Sequence, residues 1–185
     1  MKKFVKIVSF AIIAFAANTA SAQTEASTLL RVNLQDAYSI IIPEAQNEVT
    51  INMTLPTHFQ NGNSSDIQSN HLQVSASDDF EVKVSAQGNL VFGSETIPVN
   101  TVTVTPTAGT FLGTGDDPGI ASSFTPSPIP MNLDPAAGTT IISSSTGDLR
   151  GYDMLYTIPA SETSEYLNRP AGVYTATVVY AIYPL

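Results

Sequence analysis

The sequence predicts an all-β protein that folds as a single antiparallel β-sandwich of about eight or nine strands, with one long loop rich in proline and glycine. Three observations predict this class. Apolar residues recur at every second position in several short segments, turn-forming residues separate these segments, and no helical patterns alternate with them. The absence of alternating helices argues against a parallel α/β sheet.

The alternation is clearest at residues 80–86, where four apolar residues alternate with Glu81, Lys83 and Ser85. Comparable patterns predict further strands at residues 30–34, 38–42, 49–55, 72–76, 100–105 and 152–156. Polar turn-forming residues lie between these segments, at residues 60–66, 77–79 and 87–89. One short helix, of one or two turns, is expected at residues 160–167.

One region interrupts this rhythm. Residues 105–138 contain prolines at positions 106, 118, 126, 128, 130 and 135, together with many glycine, serine and threonine residues. Strand patterns resume after it, so we expect a long exposed loop or insertion within one domain. A loop of this length in a compact domain is usually functional or poorly ordered.

Residues 1–22 have the layout of a secretory signal peptide. A basic start precedes an apolar run, and Ala20-Ser21-Ala22 forms a small-residue cleavage site. The apolar run is shorter than the roughly 20 residues of a membrane-spanning helix, and no later segment is long and apolar enough to span a membrane. We therefore expect an exported protein, located outside the cell or at its surface and reaching it via the periplasm, whose sandwich domain comprises residues 23–185.

Charge and cysteine content narrow the possible functions. The expected mature chain keeps four basic residues against sixteen acidic ones, a net charge of −12. Such a chain repels nucleic acids and anionic membrane surfaces, so we expect neither as a partner. The sequence contains no cysteine, which excludes disulfides, thiol catalysis and cysteine-ligated metals. The fold must therefore be held together by packing and backbone pairing.

No group of residues predicts an active site, and we expect a protein that is not an enzyme. The G-x-S-x-G nucleophile motif and phosphate-binding glycine loops do not occur in the sequence. His58 and His71 flank a predicted turn that contains Asp66, but their spacing matches no metal motif. Asp116 and Asp117 lie among glycines without the ligand order of a calcium loop. Accordingly, we predict no catalytic, cofactor-binding or metal-binding residue.

The last fourteen residues, 172–185, are the most informative segment. Alternate positions carry Gly172, Tyr174, Ala176, Val178, Tyr180 and Ile182, and the opposite face is nearly as apolar. A strand that is apolar on both sides belongs in the middle of a sheet, or lies at an edge that awaits a partner chain.

This segment resembles the C-terminal strand of chaperone–usher pilus subunits, which typically opens with a glycine fourteen residues from the end. Alternating apolar residues follow in that family, with an aromatic residue next to last. Here Gly172 occupies the glycine position, the alternation is kept, and Tyr183 is third from the end.

The resemblance implies an immunoglobulin-like sandwich that lacks one strand, whose groove is filled by the N-terminal extension of a neighbouring subunit. The implied donor residues are Leu30, Val32 and Leu34, and the groove strand carries Gly172, Tyr174, Ala176, Val178, Tyr180 and Ile182. Self-association or related subunits, and a periplasmic chaperone, are the implied partners. The implied function is a structural or adhesive subunit of a bacterial surface filament.

Two alternatives stay open from the sequence. Residues 29–34 are equally compatible with the first strand of their own domain. The chain is also compatible with a monomeric, secreted carbohydrate-binding module that uses the loop at residues 105–138 and exposed tyrosines.

Overall fold

A computed structural model describes residues 27–185, and the expected all-β class is confirmed. Two antiparallel sheets pack face to face as a sandwich, and a small hairpin completes the strand content. The compact sandwich unit is Gln35–Leu185, and the described residues 27–34 are not part of it. The expected signal peptide, residues 1–22, lies outside the described residues.

The described residues contain twelve strands rather than eight or nine, because several short strands have no clear alternation in the sequence. They are β1 (Tyr38–Ile41), β2 (Gly62–Ser64), β3 (Gln68–Ala76), β4 (Phe80–Ala86), β5 (Leu90–Phe92), β6 (Glu95–Ile97), β7 (Thr103–Phe111), β8 (Ser122–Phe124), β9 (Ser127–Pro128), β10 (Thr139–Ser144), β11 (Asp148–Pro159) and β12 (Val178–Pro184). The helical segments are α1 (Pro56–Asn61) and four 3₁₀ segments, Glu44–Gln46, Val99–Thr101, Pro135–Ala137 and Ala160–Tyr166. The last of these confirms the short helix expected near residue 160.

The first sheet has the strand order β1-β3-β11-β7-β9. The short strand β2 pairs with the last residues of the long strand β11, beyond the part of β11 that pairs with β3. The second sheet has the order β12-β4-β10-β8, and β5 and β6 form a separate two-stranded sheet. The predicted turn at residues 77–79 carries the chain from β3 in one sheet to β4 in the other. Likewise the turn at residues 87–89 joins β4 to β5, which do not pair.

Both sheets contribute alternate side chains to one core. In β4 the apolar positions are fully buried and the intervening Glu81 and Lys83 are half-buried. The strands β3 and β11 supply Leu72, Val74, Tyr152 and Met154 from the opposite sheet. Burying a side chain of this size contributes about 1.5–3 kcal/mol, so this core is the main source of stability in a chain without disulfides.

Residues 105–138 do not form one continuous loop. The strand β7 runs through residues 105–111 despite Pro106, because Pro106 needs no N–H at that position of the ladder with β11. The remainder contains β8, β9 and a 3₁₀ segment, so the longest stretch without regular structure is residues 112–121.

Within the described residues, we find no helix that is both long enough and apolar enough to span a membrane.

Candidate assembly edge

The strand β12 lies at one edge of the second sheet. It pairs with β4 in antiparallel register, from Val178 opposite Ala86 to Pro184 opposite Phe80. Along its other side, β12 makes no backbone hydrogen bond with any described residue. Of the two positions that the sequence allowed for this strand, the structure therefore shows the edge and not the middle of a sheet. We call this unpaired side the free edge of β12.

The C-terminal segment is divided, whereas the sequence indicated one strand over residues 172–185. Only Val178–Pro184 pairs with β4. Upstream, Thr175 and Val91 exchange two backbone hydrogen bonds of 2.9 and 3.1 Å, which attach the chain to the β5–β6 hairpin. The ring of Tyr174 lies 5.5 Å from that of Phe92, and Gly172 lies so close to Phe92 that a Cβ atom would overlap the ring. These contacts direct the chain toward the β5–β6 hairpin, so pairing with β4 begins only at Val178.

The inner face of the segment packs against the core through Ala176, Val178, Tyr180 and Ile182. The Tyr180 hydroxyl shares a hydrogen bond of 2.5 Å with that of Tyr156, which belongs to β11 in the opposite sheet. Tyr156 in turn bonds Nε2 of the buried His71 at 3.0 Å. The edge strand is therefore attached to the other sheet by a polar chain that crosses the core.

Burial keeps this polar chain uncharged. It raises the pKa of Tyr156 to about 12 and that of Tyr180 well above its usual value. Burial also lowers the pKa of His71, so the imidazole is neutral at pH 7. Neutral hydroxyls and a neutral imidazole are able to donate and accept within one chain of hydrogen bonds.

The outer face of β12 is also partly covered. Val179, Ala181 and Tyr183 are half-buried, and the Lys83 ammonium lies 5.4 Å from the centroid of the Tyr183 ring. Lys83 also bonds the carbonyl of Ala136 at 3.1 Å, which holds a 3₁₀ segment over this face. Both faces of β12 are therefore partly buried. The groups that lack partners are the backbone N–H and C=O groups along its free edge.

The edge strand of the other sheet lies on the same side of the sandwich. The strand β1 pairs with β3, from Tyr38 opposite Ala76 to Ile41 opposite Gln73, and lies against β12. Two sheet edges thus meet along this side, and neither is covered by a further strand of the described chain.

Residues 48–53, which we call the unpaired segment, continue from β1 beyond a short 3₁₀ segment. The side chains of Val49, Ile51 and Met53 pack against the core, and those of Thr50 and Asn52 are exposed. Even so, none of these residues makes a backbone–backbone hydrogen bond within the described chain. The strand predicted over residues 49–55 is therefore absent, because alternation indicates which side chains are buried and not whether the backbone is paired.

The implied donor residues are exposed. Leu30, Val32 and Leu34 have exposed fractions of 80, 72 and 86%, and residues 27–34 contain no regular secondary structure. The alternative that residues 29–34 form the first strand of the domain is wrong, because the first strand is Tyr38–Ile41. We call residues 29–34 the donor segment.

The two histidines have separate local partners. Nδ1 of His58 accepts the backbone N–H groups of Thr54 and Leu55 at 3.2 and 3.3 Å, where α1 begins. His71 instead lies in the core beside Tyr156. In the part of the chain that the structure describes, no three His, Asp or Glu side chains are arranged to hold a metal ion.

The sequence interpretation missed one buried ionic cluster. Arg150 is 1% exposed and lies between Asp117 and Asp148, with Tyr152 beside them. A signal for it exists in the sequence, since Asp148, Arg150 and Tyr152 occupy alternate positions of one strand and therefore share its inward face. The partner Asp117 comes from a distant loop, which no periodicity indicates.

Comparisons with known proteins give no assignment by similarity: no family model matches this chain, and no curated protein is significantly similar to it.

Proposed function

We propose that this chain is a secreted structural or adhesive subunit of a bacterial surface filament, which assembles by β-strand complementation. The observation that carries the proposal is the free edge of β12, a row of unpaired backbone groups on a strand whose two faces are both partly buried. Adding a strand from another chain to such an edge supplies backbone hydrogen bonds, and alternate side chains of the added strand provide specificity.

The unpaired segment supports the same proposal. Its side chains pack against the core that β12 also covers, while its backbone makes no backbone–backbone hydrogen bond in the described chain and only the Asn52 carbonyl accepts from a side chain, that of Asn63. Each backbone hydrogen bond that an added strand forms contributes about 0.5–1.5 kcal/mol. A strand that pairs with both β12 and the unpaired segment would therefore gain two rows of such bonds.

The donor segment has the properties that an added strand needs. Leu30, Val32 and Leu34 lie at alternate positions, so an extended chain presents them on one face. They are exposed in the isolated subunit, and burying each of them contributes roughly 1.5–3 kcal/mol. Arg31 lies between them and brings a positive charge toward the acidic surface of a second subunit.

The partners in this proposal are further copies of the chain or related subunits. A periplasmic chaperone that covers the free edge before assembly fits the expected export route, because an exposed strand edge promotes aggregation. The fold includes no disulfide, so the subunit depends on packing and on the added strand for its stability.

A deletion experiment tests the proposal. We expect mature protein of residues 23–185 to form oligomers whose size grows with concentration in light scattering, whereas residues 35–185 stay folded and monomeric. A synthetic peptide of residues 27–36 should bind the shortened protein and raise its melting temperature. If residues 35–185 unfold irreversibly with or without the peptide, or if the deletion leaves assembly unchanged, the proposal fails.

Substitutions in the donor segment provide a matched control. Replacing Leu30, Val32 and Leu34 with glutamate places charges where apolar groups must be buried, so assembly should be lost. Replacing Asn33 with serine changes the other face of the same strand while Arg31 is kept, so it should leave assembly largely intact. Equal effects from the two sets would contradict burial of the Leu30–Val32–Leu34 face.

The alternative of a monomeric carbohydrate-binding module has less support. Phe124, an aromatic residue of the region expected to form a loop, packs edge-on against the buried Tyr152 with ring centroids 5.9 Å apart. The ring of Phe111 is folded over Gly113 and lies near the Arg150 guanidinium. Neither ring is presented as an exposed platform for a sugar.

A further inference from the structure

The ionic cluster around Arg150 has an excess of negative charge. Asp117 binds both terminal nitrogens of the guanidinium, at 2.5 and 3.2 Å, and Nη2 also donates to the carbonyl of Gly119. The pairing lowers the pKa of Asp117, mainly through the hydrogen bond from Arg150. One cation is therefore shared between the two carboxylates, and Asp117 accepts two of its hydrogen bonds whereas Asp148 accepts one.

Asp148 is left incompletely satisfied. Its Oδ2 accepts from Nε of Arg150 at 3.3 Å and from the Tyr152 hydroxyl at 2.9 Å. Its Oδ1 is buried and accepts no hydrogen bond from the described residues. A buried carboxylate oxygen without a donor is costly, since folding removes the water that would otherwise bind it. Such an atom in a native protein calls for an external partner.

A cleft lies at this carboxylate. Asp148 lines a depression of about 300 Å³, together with Ser77, Phe111, Pro118, Gly147 and Leu149. Phe111, Pro118 and Leu149 give the cleft apolar walls. A ligand that matches it combines a hydrogen-bond donor of positive charge with a short apolar stem.

We propose that this cleft binds a primary ammonium group carried on an alkyl stem, with Asp148 as the charged acceptor. An ammonium is compact and carries three donors, which suits a carboxylate oxygen that lacks a donor, and Phe111 and Leu149 line the cleft for the methylene groups. Ammonium groups of this kind occur in free alkylamines and in the lysine side chains of other proteins.

The sandwich has no lysine of its own to fill this role. Its one lysine, Lys83, pairs with Glu81 at 3.1 Å in the second sheet. Arg169 lies between Glu95 and Glu165. An ammonium group that binds Asp148 would therefore come from outside residues 35–185.

The neighbouring loop provides a route to the buried oxygen. Among described residues, the hydrogen bonds that tie residues 113–121 to the sandwich all come from Arg150. Gly115 and Gly119 adopt positive φ angles in this loop, and a Cβ atom added at either would meet nothing within 4 Å. A loop whose hydrogen bonds to the sandwich all come from one side chain is able to move Pro118 away from the cleft without disturbing the sheets.

A titration of the mature protein tests this site. We expect n-butylammonium to shift the amide NMR signals of Gly147, Asp148 and Leu149 in a saturable way, with a Kd of about 1 mM as suits so small a ligand. The neutral isostere n-butanol should bind about tenfold more weakly, because it lacks the charge. Equal binding of the two, or no saturable shift at these residues, overturns the proposal.

Variants locate the binding and separate the two sources of the ammonium. Asp148→Asn should weaken n-butylammonium binding about tenfold, and the matched control Asp116→Asn, which changes an exposed acid of the loop at residues 113–121, should not. If Asp148→Asn does not fold, Leu149→Trp, which fills the cleft from an exposed position, should abolish binding instead. If an Nα-acetyl-lysine amide binds as well as n-butylammonium, a lysine side chain is identified as the partner. If the acetyl-lysine amide does not bind, a free alkylamine is identified instead. Unchanged binding in the variants that fold contradicts the assignment to this cleft.

Discussion

The hydroxyl of Tyr180 in β12 lies 2.5 Å from that of Tyr156 in β11, so one hydrogen bond joins the edge strand of one sheet to the central strand of the other. In a sandwich without disulfides, this bond fixes the position of β12 over the core. It also fixes the position of the free edge of β12, because the strand is held by side chains as well as by its ladder with β4.

Removing this hydroxyl should destabilise the subunit. In Tyr180→Phe the ring still fills its place, but the bond to Tyr156 is lost, so we expect a decrease of about 0.5–1.5 kcal/mol in the free energy of unfolding. Urea denaturation monitored by circular dichroism measures it. Tyr183→Phe is the control, since the Tyr183 hydroxyl has no hydrogen-bond partner among the described residues and lies on the outer face. A loss as large for Tyr183→Phe as for Tyr180→Phe would argue against a specific role for the cross-sheet bond.

Stability should fall as the pH decreases below the usual pKa of histidine. The pKa of His71 is lowered in the folded state by burial, so the unfolded chain binds a proton at a higher pH than the folded chain does. The unfolded state therefore gains protons first, and stability declines as the pH falls below about 6.5 and toward the folded-state pKa. Urea midpoints measured between pH 8 and pH 5 follow this decline.

A histidine variant tests the source of that dependence. In His71→Gln the decrease between pH 7 and pH 5 should be smaller than in the wild type, because the group that titrates is gone. An identical slope in wild type and His71→Gln would assign the pH dependence to other groups.

The sequence predicted the parts of the fold in which burial and backbone pairing coincide. In β4 every apolar position of the alternation is buried, and β11 places Tyr152 and Met154 in the core as expected. The prediction failed at residues 49–55, where Val49, Ile51 and Met53 pack in the expected alternation but Leu55 is exposed and the backbone has no neighbouring strand. Pairing depends on distant segments, which one-dimensional periodicity does not describe.

The candidate site was predicted to a similar extent. The apolar inner face of the C-terminal segment was identified from the sequence. The segment changes its pairing partner from β5 to β4, however, and this change depends on the contact of Gly172 and Tyr174 with Phe92, about 80 residues away in sequence. Arg150 was missed because its main partner, Asp117, belongs to a loop without regular structure.

Adding a side chain at Gly151, in the central strand β11, should lower the free energy of unfolding. A Cβ atom at Gly151 would overlap the side chain of Asn70, whose Oδ1 accepts the N–H of Thr110 at 2.9 Å. Gly151→Ala must displace this bonded side chain, so we expect a loss of about 1–3 kcal/mol in unfolding free energy. Gly88→Ala is the matched control, because nothing lies within 4 Å of its Cβ position. Thermal melts of both variants compare them, and equal melting temperatures would contradict the close contact.

Breaking the buried ion pair should have a larger effect. Arg150→Met leaves Asp148 buried without its cation, so we expect a loss of about 3–5 kcal/mol in unfolding free energy. Arg169→Met removes a partly exposed arginine that pairs with Glu95 and should cost less than about 1 kcal/mol. Urea titrations at pH 7 give both values. A similar small loss in both variants would show that the cluster contributes little to the fold.

The most direct measurement of strand complementation is amide hydrogen exchange of residues 35–185, with and without the synthetic peptide of residues 27–36. We expect the peptide to slow exchange of residues 48–53, and of those β12 amides that do not bond to β4, because both rows of backbone groups gain partners. Amides elsewhere in the sandwich should change little. Peptide binding that leaves residues 48–53 and β12 exchanging at their original rates would contradict assembly at this edge.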